Sequence, residues 1–264
     1  MSPRDPLPSE CNDLPVPELP VDGRAWAYFL DIDGTLLELA ETPDAVTVPA
    51  GLVPQLERLR DLAGGALALV SGRPLRDIDR LFAPARFPAA GVHGAELRLS
   101  DGTLRRIAFD PRTLDPARDA FGAFAAANPE IRVEDKVFGV TLHFRRRPDL
   151  AAEAHRLGTV LSARLGPAFH LLEGKMVVEV RASAASKGSA VDAFLQDPPF
   201  AGRVPVYVGD DLTDEDAFRA VNALGGISVV VGTPEATRAA THLPDVAAVR
   251  RWLAAAAENL ERGA

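Results

Sequence analysis

The sequence predicts an α/β fold, a doubly wound parallel-sheet core interrupted by an inserted α/β cap. Three features carry that expectation. Short apolar runs end abruptly in polar and glycine residues at Asp31, Ser71 and Gly209. A helix-spaced segment separates the first two runs, as a parallel crossover requires. Between the second and third runs the texture changes to amphipathic helices and alternating strands.

The first run, Ala25 to Leu30, breaks at Asp31-Ile32-Asp33-Gly34-Thr35 and reads as a buried strand delivering a loop. Pro49 to Ala63 spaces Leu52, Leu56 and Leu59 at helical intervals, Gly64-Gly65 stops it, and Ala66 to Val70 is the next strand, ending at Ser71-Gly72-Arg73-Pro74. After Asp110 a helix is expected through Ala127, with strands around Glu134-Asp135 and Gly139 to Phe144. A helix over Asp149 to Leu165 follows, then strands at Phe169 to Leu172 and Met176 to Val180. A helix over Lys187 to Leu195 returns the chain to the core. Val204 to Val208 is a strand running into Gly209-Asp210-Asp211, a helix starts near Asp214, and Ile227 to Val231 is a last strand. The expected organisation is a Pro-rich, poorly ordered arm over 1–23, a Rossmann-like core over 24–108 and 183–264, and an inserted cap over 109–182.

Bulk composition narrows the function. With 264 residues, 47% hydrophobic and 25% charged, the chain has the balance of a soluble globular protein. Its net charge of -8 argues against a nucleic-acid surface, which needs clustered Lys and Arg. Cys11 is the one cysteine, which excludes an intrachain disulfide and a multi-thiolate zinc site and suggests a reducing compartment. The N-terminal stretch lacks the basic start and apolar run of a secretory signal, and no apolar run approaches the roughly 20 residues of a membrane span. A cytoplasmic protein with no membrane partner is expected.

In open α/β sheets, ligands bind outside the carboxyl ends of the strands, so Asp31, Asp33, Ser71, Arg73, Asp210, Asp211 and Asp214 should converge in one crevice. So many carboxylates repel one another unless a cation sits among them, and hard oxygen donors beside a phosphate ester favour Mg2+. Asp31, at a strand tip, is the expected nucleophile for phosphoryl transfer to a carboxylate. Asp33 follows two residues later as proton donor to the leaving oxygen and then base for water. Ser71 donates to a phosphate oxygen, while Lys187, at the start of its helix, offsets phosphate and nucleophile charge. Asp210 completes the metal shell with Asp31 and the Asp33 carbonyl, and Asp211 or Asp214 orients metal-bound water or Lys187. Arg145-Arg146-Arg147 reads as a solvated strand end, and His155 and His170 as structural or exposed.

On these residues the chain resembles the haloacid dehalogenase superfamily, whose four motifs are matched by Asp31-Ile32-Asp33-Gly34-Thr35, Ser71, Lys187 and Gly209-Asp210-Asp211. The resemblance implies a phosphatase with Asp31 and Asp33 in the roles above and a C2-type cap. A narrower resemblance, to the trehalose-6-phosphate phosphatases, rests on five segments: Ser71-Gly72-Arg73, Gly91 to Glu96, Val133 to Lys136, Gly174 to Arg181, and Gly209 to Asp216. It implies trehalose 6-phosphate as substrate and a trehalose-phosphate synthase as functional partner. Glu134, Lys136 and Glu179 of the cap would contact sugar hydroxyls, and Arg73, His93 and Glu96 would bind substrate near the junction of core and cap. Carboxylates suit that task because they accept hydrogen bonds from hydroxyls and reject ligands lacking them. Ile32 and Ala182 depart from the usual aromatic and proline without removing a reactive group. Sucrose phosphate or a hexose phosphate are the alternative substrates. A receiver-like phospho-switch is the non-enzymatic alternative, against which the second acid, Asp33, and the cap both speak.

Overall fold

The structure is a computed structural model that describes residues 14–19, 25–40, 46–136, 138–174, 176–183, 185–234 and 236–263. Backbone contacts divide the chain into two units, Met1–Arg106 with Ser186–Ala264, and Ile107–Ala185. The sequence boundaries at 109 and 182 differ from these by a few residues.

The first unit contains β1 (Trp26–Leu30), α1 (Leu52–Leu62), β2 (Leu67–Val70), α2 (Leu75–Leu81), β3 (Ala89–Gly91), β4 (Glu96–Arg98) and β5 (Leu104–Arg106). The second holds α3 (Asp115–Ala127), β6 (Arg132–Lys136), β7 (Gly139–His143), α4 (Ala151–Leu165), β8 (Phe169–Gly174) and β9 (Val177–Ala182). The chain then returns to the first unit with α5 (Lys187–Phe194), β10 (Val204–Gly209), α6 (Glu215–Ala223), β11 (Ile227–Val231), β12 (Thr241–Leu243) and α7 (Val246–Gly263).

The sheet of the first unit runs β12-β11-β10-β1-β2-β3-β4-β5, parallel from β12 to β3 and antiparallel at β4 and β5. Its central strands are apolar on both faces because helices cover both. Alternation along β1 sends Trp26, Tyr28 and Leu30 to one layer with Leu52, Leu56 and Leu59 of α1 and Val249, Trp252 and Leu253 of α7. Ala27 and Phe29 point to the other layer, with Val191 and Phe194 of α5 and Phe218 and Val221 of α6. Each fully buried side chain of this size contributes about 1.5–3 kcal/mol over its exposed state, so α7 is integral to the core. Since β1 lies between β2 and β10, the chain winds outward in both directions from the β1–β10 pair. That makes the carboxyl end of this pair a topological switch point.

Several elements were not expected from sequence, namely α2, β3, β4, β5, β12 and α7. The four strands among them are three residues each, too short for a periodic signal. Of the expected N-terminal arm, residues 1–13 and 20–23 lie outside the described residues, but 14–19 pack on the core. The carbonyl of Pro15 accepts from His242 N at 2.9 Å, that of Pro17 accepts from the Trp252 indole at 3.1 Å, and Leu14 and Leu19 join the two apolar layers.

The second unit is an antiparallel sheet, β6-β7-β9-β8. Val140, Leu142, Val178 and Val180 face Leu114 and Phe121 near and on α3 and Leu161 on α4. The period of two then sends Arg132, Glu134 and Lys136 of β6, Thr141 and His143 of β7, and Glu179 of β9 to the opposite, polar face. Among the described residues no helix is long and apolar enough to cross a membrane.

Candidate functional site

The first unit carries a cavity of about 740 Å³ at the switch point, lined by Asp31, Asp33, Ser71, Arg73, His93, Lys187, Asp210 and Asp211 among others. Three strand ends build it. Asp31 follows β1 directly and its N–H still pairs with Val208 O at 3.0 Å, so the carboxylate is fixed by the sheet. The loop then closes tightly, since Leu36 N and Leu37 N both donate to Ile32 O, and Ile32, Leu36 and Leu37 are buried beneath it. Gly34, at φ 80°, allows that turn, and a Cβ there would lie 2.1 Å from Asp210 Oδ2. The missing side chain is what lets the Asp210 carboxylate approach the loop, where Thr35 Oγ1 donates to its Oδ1 at 3.1 Å.

Ser71 ends β2 and is 1% exposed. Its hydroxyl accepts from Arg73 N at 3.1 Å, so its own proton remains for an incoming acceptor. Arg73 turns back and grips Asp33 with Nε to Oδ2 at 2.6 Å and Nη2 to Oδ1 at 2.7 Å. Beside this loop Val92 and His93 adopt left-handed backbone at φ 48° and 54°, a strain that is rare for a β-branched residue. Val92 N donates to Arg73 O and His93 N to Ser71 O, and the imidazole lies over Gly72. Glu96 does not line the cavity. Its Oε2 accepts from Leu75 N at 3.2 Å, at the N-terminus of α2, and its Oε1 lies 3.4 Å from Arg106.

The innermost group is Lys187, 3% exposed at the first turn of α5, which Ser186 caps. Its Nζ lies 3.0 Å from Asp31 Oδ1 and 2.7 Å from Asp214 Oδ1. Asp214 is fully buried and fully committed. Its Oδ1 also accepts from the Tyr207 hydroxyl at 2.6 Å, and its Oδ2 accepts from the N–H groups of Asp210 and Asp211 at 3.1 and 2.9 Å. Gly209 makes room for it, because a Cβ there would fall 2.3 Å from the carboxylate carbon. Asp211 instead caps the following turn through Leu212 N. Of the two acids expected to orient Lys187 or metal-bound water, Asp214 is therefore the one bonded to Lys187.

Electrostatics follow from this burial. Desolvation pushes the Asp31 carboxyl well above the usual range, with Lys187 opposing and Asp214 and Asp210 reinforcing the rise. Desolvation, then Asp214, pushes Asp210 up to about 6. For Lys187, burial disfavours the ammonium, but Asp214 and Asp31 outweigh it and hold its pKa above the ordinary value. Carboxylates so crowded call for more positive charge than Lys187 supplies.

Oxygens of Asp31, Asp210 and Asp214 lie within 4.8 Å of one another, an acidic group able to hold a metal ion. Both oxygens of Asp214 already accept bonds, which leaves Asp31 and Asp210 as the carboxylates with capacity to spare. An all-oxygen donor set suits a hard divalent cation, and such a cation would favour the ionised form of both acids. The group therefore fits a metal of that class.

On the polar face of the second unit, Lys136 Nζ lies 3.1 Å from Glu179 Oε2 and 4.0 Å from Glu134 Oε2. Glu179 leans over Gly139, where a Cβ would lie 2.6 Å from its Oε1. His143 Nε2 lies 2.9 Å from Glu134 Oε2. The three expected cap residues thus form one cluster within their own unit. Thr35, Tyr207 and His143 were not singled out from sequence. Thr35 lay inside a recognised motif, whereas Tyr207 reads as one more apolar strand residue and His143 as a strand-end histidine.

A family model described as trehalose-phosphatase matches residues 29–246. The probable trehalose-phosphate phosphatase of Sinorhizobium fredii is 47% identical over 240 residues, covering 90% of this chain and 90% of that protein. The trehalose-6-phosphate phosphatase of Escherichia coli is 40% identical over 239 residues, covering 90% and 89% respectively. The solved C-terminal domain of the C. albicans trehalose-6-phosphate phosphatase superposes with a TM-score of 0.72 at 24% identity, covering 89% of this chain and 92% of that one, a likeness of fold.

Proposed function

The chain belongs to the trehalose-phosphatase family and hydrolyses trehalose 6-phosphate to trehalose and phosphate; we propose that it does so by transferring the phosphoryl group to Asp31 and from there to water. The observation that carries this reading is the buried chain Asp31–Lys187–Asp214 at a strand end, with Asp33 and Ser71 in the same cavity. Lys187 binds Oδ1 of Asp31, so the second oxygen attacks phosphorus in line. Asp214 acts through Lys187 and fixes it with the help of the Tyr207 hydroxyl. Ser71 donates its proton to a non-bridging phosphate oxygen, and Lys187 offsets the charge that accumulates during transfer.

Asp33 protonates the departing 6-oxygen and then takes a proton from the water that cleaves the acyl phosphate. Arg73, which grips both oxygens of Asp33 before substrate arrives, passes to the substrate phosphate as that dianion enters and frees Asp33 for this proton transfer. Mg2+ held by Asp31, Asp210 and the Asp33 carbonyl would supply positive charge to the transferring phosphoryl group. Glu134, Lys136 and Glu179 hydrogen-bond sugar hydroxyls, His93 borders the phosphate end of the cavity, and Glu96 holds the segment after Arg73. Asp211 caps the turn that delivers Asp214. A trehalose-phosphate synthase supplies the substrate, and the lone cysteine is consistent with a cytoplasmic setting.

Phosphate release from trehalose 6-phosphate, sucrose 6-phosphate, glucose 6-phosphate and an aryl phosphate, with Mg2+ and then with chelator, tests the reading. Preference for trehalose 6-phosphate that disappears with chelator is expected. Metal-dependent release with another preference would overturn the sugar contacts and keep the core chemistry, whereas full activity in chelator would remove the metal site.

A further inference from the structure

We propose that His143 is a positioning residue for sugar recognition, holding the Glu134 carboxylate in the orientation that receives sugar hydroxyls. The proposal rests on the reading that Glu134 contacts the sugar. Glu134 stands opposite Thr141 in the β6–β7 register, which makes His143 its diagonal neighbour on the same polar face. The imidazole Nε2 lies 2.9 Å from Oε2 of Glu134. An imidazole N–H can donate and a carboxylate oxygen can accept, so this geometry suits a bond from Nε2 to Oε2.

Among the described residues no other contact holds Glu134 in this way. Lys136 lies 4.0 Å from Glu134 but 3.1 Å from Glu179, so it serves mainly the second glutamate. The His143 bond is the one short polar contact made to Glu134 among the described residues. A glutamate side chain has three rotatable bonds, and ordering it on ligand binding costs affinity that a preformed bond saves. His143 is itself well placed for the task, since its neighbours Leu142 and Phe144 are buried and fix the strand. A cavity of about 460 Å³ lies here, bordered by Glu134, His143, Arg132 and Arg145.

The pair is solvent-accessible, with side chains 39% and 52% exposed, and exposed pairs add little to stability. Its effect should therefore appear in substrate binding and leave unfolding unchanged. The test is steady-state kinetics and thermal unfolding of the full chain carrying His143→Ala, His143→Gln or Glu134→Ala.

For His143→Ala, KM for trehalose 6-phosphate is expected to rise about five- to tenfold with kcat within about twofold, the scale of one hydrogen bond. The preference for trehalose 6-phosphate over an aryl phosphate should fall by the same factor. His143→Gln, whose amide still donates, should recover most of the loss. An unchanged KM in His143→Ala alongside a raised KM in Glu134→Ala would overturn the role of His143 alone. An unchanged KM in Glu134→Ala would overturn the sugar-contact reading and this inference with it. Loss of kcat together with a lowered unfolding temperature, or no recovery with Gln, would likewise overturn it by showing a structural or packing role.

Discussion

Arg73 grips both carboxylate oxygens of Asp33, at 2.6 and 2.7 Å, in a cavity that Asp31, Asp210 and Asp211 also line. The side chains are 10% and 29% exposed, so solvent screens the pair only in part. The contact joins the loop after β1 to the loop after β2 and sets where the proposed acid–base carboxylate sits before substrate arrives.

Arg73→Lys keeps the charge and loses the planar fork. A bidentate charge-assisted pair is worth about 1.5–3 kcal/mol, so kcat/KM for trehalose 6-phosphate should fall about 10- to 100-fold. Kinetics indistinguishable from the parent would show that the fork has no part in catalysis.

Asp31→Asn removes the attacking oxygen while retaining the shape of the side chain. Turnover should fall below detection. Lys187 keeps Asp214 as a buried partner, so the thermal midpoint should stay within a few degrees of the parent's. Residual turnover near the parent level would rule Asp31 out as nucleophile.

Gly34→Ala forces a side chain onto φ 80°, and its Cβ would meet the Asp210 carboxylate at 2.1–2.6 Å. The backbone cost alone is about 1–2 kcal/mol. Displacing Asp210 should raise the Mg2+ concentration for half-maximal phosphate release about tenfold or more. An unchanged metal titration would mean Asp210 does not hold the ion.

Tyr207→Phe deletes the hydroxyl that donates to Asp214 at 2.6 Å in a fully buried setting. Leaving that carboxylate one bond short should lower unfolding stability by about 1–3 kcal/mol. It should also loosen Lys187, with kcat falling about tenfold. Chemical denaturation and steady-state rates read the two effects separately, and parent values for both would show that Asp214 needs only Lys187 and its backbone donors.

The apolar runs and their polar stops were legible in the sequence because a strand buried on both faces has to be apolar throughout. Residues that do chemistry have to interrupt such a run at its carboxyl end. That logic identified Asp31, Ser71 and Asp210 at the ends of β1, β2 and β10, and alternation in the insert marked its two-faced sheet. The short strands β3 to β5 gave no periodic signal to read. The C-terminal helix α7 lies in an alanine-rich stretch whose burial is evident only from the Trp252, Val249 and Leu253 side chains packed beneath α1 and β1.

What tertiary structure decided was the division of labour among like residues. Sequence left Asp211 and Asp214 as alternatives, and the buried bonds to Lys187, Tyr207 and two backbone N–H groups single out Asp214. Sequence grouped Glu96 with the ligand contacts, and the fold turned it onto Leu75 N and Arg106. The sequence by itself determined which side chains stand at the carboxyl ends of the strands, since a buried apolar run has to stop where a polar residue appears. Which of them are bonded to one another depends on pairs as distant along the chain as Lys187 and Asp31, and a separation of that length is closed only when the sheet forms.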